Sequence, residues 1–200
     1  MYNQIIIILL IIIIYIVYST KSNPVIEKMS LVEAFDRKKY LVRDLNDKKE
    51  SANLLAKLMT NLKNLVTKLK IQSENTNDQE LLKYKTNIES IYNKIDTVKV
   101  RENEGENDLT SYSVNKGEEL VFCVRSKINN HIHDINELMY VAVHEIAHIG
   151  CPETGHTRLF AKINLFLLRK ALEQGLYVYK NYSASPVEYC GMTLNSNILG

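Results

Sequence analysis

The chain has 200 residues, of which 46% are apolar and 24% charged. Those proportions exclude wholesale disorder and allow one domain with a real core. The net charge of +2 excludes a strongly basic chain and gives no reason to expect a nucleic-acid footprint, so no nucleic-acid partner is expected.

Residues Ile5 to Tyr18 read IIIILLIIIIYIVY, without a charge or a strongly polar group. As a helix this run covers about 21 Å of a roughly 30 Å hydrocarbon layer, and its polar flanks bring it close to spanning length. Met1-Tyr2-Asn3-Gln4 lacks the basic start of a secretory signal and Ser19 to Ser22 is a poor cleavage site, so an uncleaved anchor is favoured over a signal peptide. Lys21, Lys28, Arg37, Lys38 and Lys39 all follow the run. The positive-inside rule then predicts a single-pass membrane protein with its bulk on the cytoplasmic side of a virion or host membrane. Asn181-Tyr182-Ser183 is a glycosylation sequon, usable only from a lumenal side.

Tyr40 to Leu45 has the pattern of a short strand. Over about 49–70, Leu54, Leu55, Leu58, Met59, Leu62, Leu65, Val66 and Leu69 recur at the helical period, with lysines opposite. A second helix is predicted over about 79–95, with Leu82, Ile88, Ile91 and Ile95 on one side, and Arg101 to Asp108 reads as an acidic loop. Leu109 to Val114 and Glu119 to Arg125 read as two strands around the turn Asn115-Lys116-Gly117. Asp134 and Glu137 form a capping box that opens a helix running to about His148. A further helix is predicted from about 157 to Gly175, followed by a Tyr-rich tail extended around Pro186. Cys123, Cys151 and Cys190 fit no zinc-finger spacing. Reduced, mostly buried thiols are expected, with one disulfide and a free thiol as the alternative in an oxidising compartment.

The chemistry lies in His144-Glu145-Ile146-Ala147-His148. Histidines four apart share one helix face and can converge on one zinc ion. Glu145, beside the first ligand, is placed to act as general base on a zinc-activated water. The apolar residues before and within the motif predict a mainly buried helix, and buried imidazoles need partners, of which a metal is one. A catalytic zinc takes three protein ligands, one ion per chain. On a continuous helix His156 would lie about 12 Å past His148, but Gly150, Pro152 and Gly155 are expected to stop the helix and turn the chain back. His156 is therefore the favoured third ligand. Glu173, the pair His131 and His133, and Cys151 and Glu153 in the turn are its alternatives, with His131 and His133 also readable as solvated loop. Tyr189 is a candidate oxyanion stabiliser, against the plainer reading of a packing tyrosine.

The ordered set Ser113-Val114-Asn115-Lys116-Gly117, Val121-Phe122-Cys123-Val124-Arg125, HEIAH and Gly155-His156 with Phe160 resembles the WLM and SprT-like metallopeptidases. With Tyr189-Cys190-Gly191-Met192 it is similar to predicted metallopeptidases of large DNA viruses. The resemblance covers roughly 109–192. It implies an α+β fold, a minimal zincin-like domain whose small sheet packs on the HExxH helix and offers an edge strand to substrate. It also implies His144, His148 and His156 as zinc ligands and Glu145 as the catalytic acid/base. The interval from His148 to His156 is longer than the usual WLM pattern. The family's DNA-crosslinked protein substrates are not carried over, because of the anchor and the balanced charge.

The expected organisation is an N-terminal transmembrane helix over 1–20, a linker with a strand over 21–48, a helical region over 49–108 packing on the catalytic part, and a metallopeptidase core over 109–200. The expected activity is a membrane-anchored zinc endopeptidase acting on a protein or peptide substrate. The alternative is a non-catalytic, zinc-stabilised, membrane-bound scaffold that uses helices 49–95 as a partner surface and Cys151 to close the metal's fourth position.

Overall fold

The computed structural model describes residues 28–105 and 109–199. Among the described residues, seven strands and five helices follow in the order β1 (Met29–Glu33), β2 (Lys39–Arg43), α1 (Lys48–Glu74), α2 (Gln79–Lys83), α3 (Lys85–Ile95), β3 (Lys99–Glu102), β4 (Tyr112–Val114), β5 (Glu119–Phe122), α4 (Ile135–Gly150), α5 (Arg158–Glu173), β6 (Val187–Tyr189) and β7 (Met192–Leu194). Five strands form one mixed sheet in the order β1-β2-β3-β5-β4. The hairpin pairs β1–β2 and β4–β5 are antiparallel, while β2–β3 and β3–β5 are parallel. The parallel pairs need long crossovers: α1, α2 and α3 lie between β2 and β3, and β4 lies between β3 and β5. Strands β6 and β7 form a separate hairpin.

Helix α1 buries Leu55, Leu58, Leu62, Leu65, Val66 and Leu69, the apolar stripe its 3.6-residue period lays along one face. That face packs on β2, on α3 and on α4. The apolar side of α4 follows suit: Leu138, Met139, Ala142, Val143, Ile146 and Ala147 are all buried. Gly150 allows a close approach: a Cβ on it would lie 2.9 Å from Ile91 Cδ1 and 3.2 Å from the Asn87 carbonyl on α3, so a larger residue would push α3 aside. The segment expected as one helix over 79–95 divides at Tyr84, which ends α2 and begins α3 and stacks on Phe166 of α5 at 4.4 Å. Asp134 caps α4 by accepting from Asn136 N–H. Its expected partner Glu137 instead binds Lys180 Nζ at 3.1 Å.

Behind the sheet lies a buried ion cluster. Arg125 and Glu102, each 1% exposed, pair at 2.8 Å between Nε and Oε1, and Arg125 also binds Asp47. The other Glu102 oxygen accepts from Arg43 N–H and Ser51 Oγ, both at 2.9 Å. The carboxylate is thus ringed by donors. Removing it strands a buried guanidinium, so Glu102→Ala is expected to cost about 3 kcal/mol or more of folding free energy, measurable by urea denaturation.

Two expectations need correction. Among the described residues no helix is long and apolar enough to cross a membrane. The longest, α1 at 27 residues, exposes Lys57 and Lys68 on its outer face, which a hydrocarbon layer penalises. The expected anchor over 5–18 falls on residues 1–27, outside the described residues. The fold is therefore α+β with a mixed sheet and, among the described residues, no transmembrane helix, and neither a single-pass membrane protein nor a cytoplasmic orientation is supported. Second, the cysteines are not all reduced. Cys123, just past β5, and Cys190, at the tip of the β6–β7 hairpin, form a disulfide with Cα atoms 5.9 Å apart, while Cys151 is free and buried. The partners are 67 residues apart, so only the folded path of the C-terminal hairpin brings them together.

Candidate metal centre

Helix α4 places His144 and His148 one turn apart on one face, with ring centroids 5.0 Å apart. It ends at Gly150, where Cys151 N–H closes on Ala147 O. The connection 151–157 then doubles back, with Gly155 at φ 80 in open space. That left-handed backbone suits glycine. Thr157 caps α5 through its side chain, and His156, the residue before the cap, swings over the helix. Its Nε2 lies 3.0 Å from His144 Nε2.

One ligand nitrogen from each of His144, His148 and His156 lies within 4.8 Å of the others, and among the described residues this is the one such group placed to hold a metal ion. The donors fit the demand: nitrogens 2.0–2.1 Å from a tetrahedral ion sit about 3.3 Å apart. Burial, with the two neighbouring imidazoles adding to it, pushes His144 down to about 4. Burial, His156 and Lys116 lower His148. His144 and His148 are therefore held neutral and able to donate lone pairs. Phe160 holds the set, stacking on His148 at 4.1 Å and meeting His144 and His156 edge-on at 4.8 and 5.0 Å.

Lys116 secures the returning loop. Its turn runs through Asn115, Lys116 and Gly117 at φ 44, 52 and 101, and its Nζ donates to the carbonyls of Cys151, Pro152 and Glu153 at 2.6, 2.7 and 2.9 Å. One ammonium satisfies three successive carbonyls where α4 ends. Sequence reasoning found the turn but not this role, which only the folded contact reveals.

The histidines open onto a cleft of about 920 Å³. Glu145 lines it and is 5% exposed. Burial pushes its carboxyl up to about 7, against a hydrogen bond from the backbone of Ser113 on β4. Among the described residues β4 is the last strand of its sheet, with no strand on its outer edge, and Tyr112 and Ser113 form that wall of the cleft. Tyr189, 1% exposed, lines it as well, with its hydroxyl 2.7 Å from Ser111 Oγ. Ser111 Oγ in turn accepts from Cys123 N–H at 2.9 Å. Burial raises the Tyr189 hydroxyl, opposed by Ser111.

The alternative ligands lie elsewhere. His133 is buried under the C-terminal hairpin, accepting from Cys190 N–H at 3.2 Å and packing on Tyr189 at 4.7 Å. His131 is exposed in a separate groove. Glu173 pairs with Lys170 at 2.9 Å. The Cys151 thiol is not part of the histidine group, so it does not close a fourth position. Glu153 is exposed at the cleft.

No family model matches the chain. Among solved structures, Wss1 from Saccharomyces cerevisiae aligns over 52% of this chain and 87% of its own, at 18% identity and a TM-score of 0.35. A likeness that slight bears on no step of the chemistry. Uncharacterized protein 042R of Invertebrate iridescent virus 3 is 40% identical over 70 residues, 35% of this chain and 43% of that protein. Uncharacterized protein 136R of Invertebrate iridescent virus 6 is 38% identical over 82 residues, 38% of this chain and 46% of that protein. Uncharacterized protein R325 of Acanthamoeba polyphaga mimivirus is 40% identical over 162 residues, 81% of this chain and 80% of that protein. Identity at that level over most of both chains means that this chain belongs to the family of the mimivirus protein R325.

Proposed function

We propose that the chain is a zinc-dependent endopeptidase, with His144, His148 and His156 as the ligands and Glu145 as the general base. Three imidazoles are a donor set zinc favours, and three protein ligands leave a position open for chemistry. When bound, zinc supplies Lewis-acid polarisation of the scissile carbonyl and acidifies water.

The remaining work falls to the chain's own groups. Glu145 takes the proton of the attacking water and returns it to the leaving amine. The Ser113 N–H holds its carboxylate towards the β4 edge. That edge offers an extended peptide an antiparallel partner, so substrate binds as an added strand across the cleft. Tyr189 keeps its proton, because its hydroxyl is raised by burial, and donates to the developing oxyanion. Ser111, itself fixed by Cys123 N–H, positions that hydroxyl.

The observation that carries this reading is Glu145, a carboxyl buried beside the histidines within the same cleft. A purely structural zinc site has no use for such a group and closes its fourth position. The test is elemental analysis of the purified protein. We expect about one zinc per chain, removable by chelation together with cleavage of an unfolded polypeptide and restored by zinc. A folded protein that takes up no zinc at neutral pH would sink the proposal.

A further inference from the structure

Phe160, near the start of α5, lies on His148, near the end of α4, so α5 runs back along α4 from the metal centre. Away from the metal centre, the cleft is lined by Tyr140 and Val141 from α4, by Ala161 and Asn164 from α5, and by Leu194 and Ile198 of the C-terminal segment. That segment is held in place where Tyr140 Oη donates to Ser196 O at 3.2 Å. The compartment is mainly apolar, and its polar groups are Asn164 and the Tyr140–Ser196 pair, which is already hydrogen-bonded. This amide is 4% exposed, and among the described residues its Oδ1 has no hydrogen-bond partner.

A buried, unpartnered amide is costly to a fold. Binding pockets are the setting in which such a group is useful: an apolar lining with a few fixed polar atoms that read the ligand. We infer that Asn164 is a specificity-determining residue. It selects a substrate side chain with an apolar stem and a neutral hydrogen-bonding tip, as in glutamine, over an aliphatic or thioether side chain of the same length. The inference rests on the peptidase reading for the identity of the ligand, but the compartment and its amide are independent of the metal chemistry. With the amide turned towards the compartment, a glutamine tip both donates to the Asn164 oxygen and accepts from its nitrogen. A methionine fills the same space and leaves the amide unpaired, and unpaired site groups are what make such pockets discriminate.

The test uses the full chain carrying Glu145→Gln, loaded with zinc, so that peptides bind without turnover. In otherwise identical short peptides, a single Gln or Met is walked through the sequence. At one position the Gln peptide is expected to bind about tenfold more tightly than the Met peptide. Adding Asn164→Leu should bring that ratio to one or below, and should also raise the melting temperature by removing an orphaned polar group from the interior. Asn164→Met makes the same comparison if leucine does not fit. Equal binding of Gln and Met peptides at every position, a preference that survives both substitutions, or a fall in melting temperature with both would overturn the inference. A Gln preference lost on substitution, in a wild-type protein that cleaves none of the peptides, would overturn the peptidase reading and leave this one standing.

Discussion

Glu145→Gln is expected to retain zinc at the wild-type level and to lower kcat/KM for peptide cleavage by about 10²–10⁴-fold, the range a positioned general base supplies. The substitution is nearly isosteric. A glutamine oxygen can still accept from the Ser113 backbone, and the three histidines are untouched. Folding should not suffer, since the wild-type carboxyl is disfavoured by burial in its charged form and a neutral amide escapes that cost. What is lost is the ability to take and return a proton. Zinc content, melting temperature and turnover measured on one preparation separate these consequences. Unchanged metal and stability with turnover as in the wild type would remove Glu145 from the chemistry and, with it, the argument for hydrolysis.

The parts of this site that could be read in advance are those encoded locally. His144, Glu145 and His148 share two turns of one helix, and helical periodicity fixes their faces whatever the rest of the chain does. The return of His156 was readable in outline from breakers, although they divide the work differently than expected. Gly155 supplies the left-handed turn, while Gly150 serves the close approach of α3 to α4. What could not be read depends on contacts distant in sequence. The Lys116 ammonium under the loop carbonyls, the Ser111–Tyr189 hydrogen bond and the Cys123–Cys190 bridge each join segments that no periodicity connects.

The fold divides along the same line. Helices α1, α4 and α5 carry long apolar stripes and were placed to within a few residues. Strands β1 and β3 were missed, one inside a supposed linker and the other overlapping the start of a supposed loop. Strands of five and four residues are too short for alternation to stand out, and their pairing partners decide them. The N-terminal run shows a different limit. Its composition pointed to a membrane, but the run lies outside the described residues, and among those described no helix can span one.

His156→Ala is expected to weaken zinc binding by at least about 10³-fold, beyond the 10–100-fold typical of losing an outer-shell partner. The two remaining ligands sit rigidly on α4, so the variant keeps a weak two-histidine site. The fold should be unaffected, because His156 is exposed on a loop that Lys116 and the Thr157 cap hold through groups other than its ring. Competition with a chromogenic chelator, alongside thermal unfolding of the metal-free protein, measures both effects. Retention of full affinity would pass the third position to another donor. Glu173 is engaged by Lys170 and His131 faces a separate groove, so Glu153, the carboxylate carried by the same loop into the same cleft, would be the residue to substitute next.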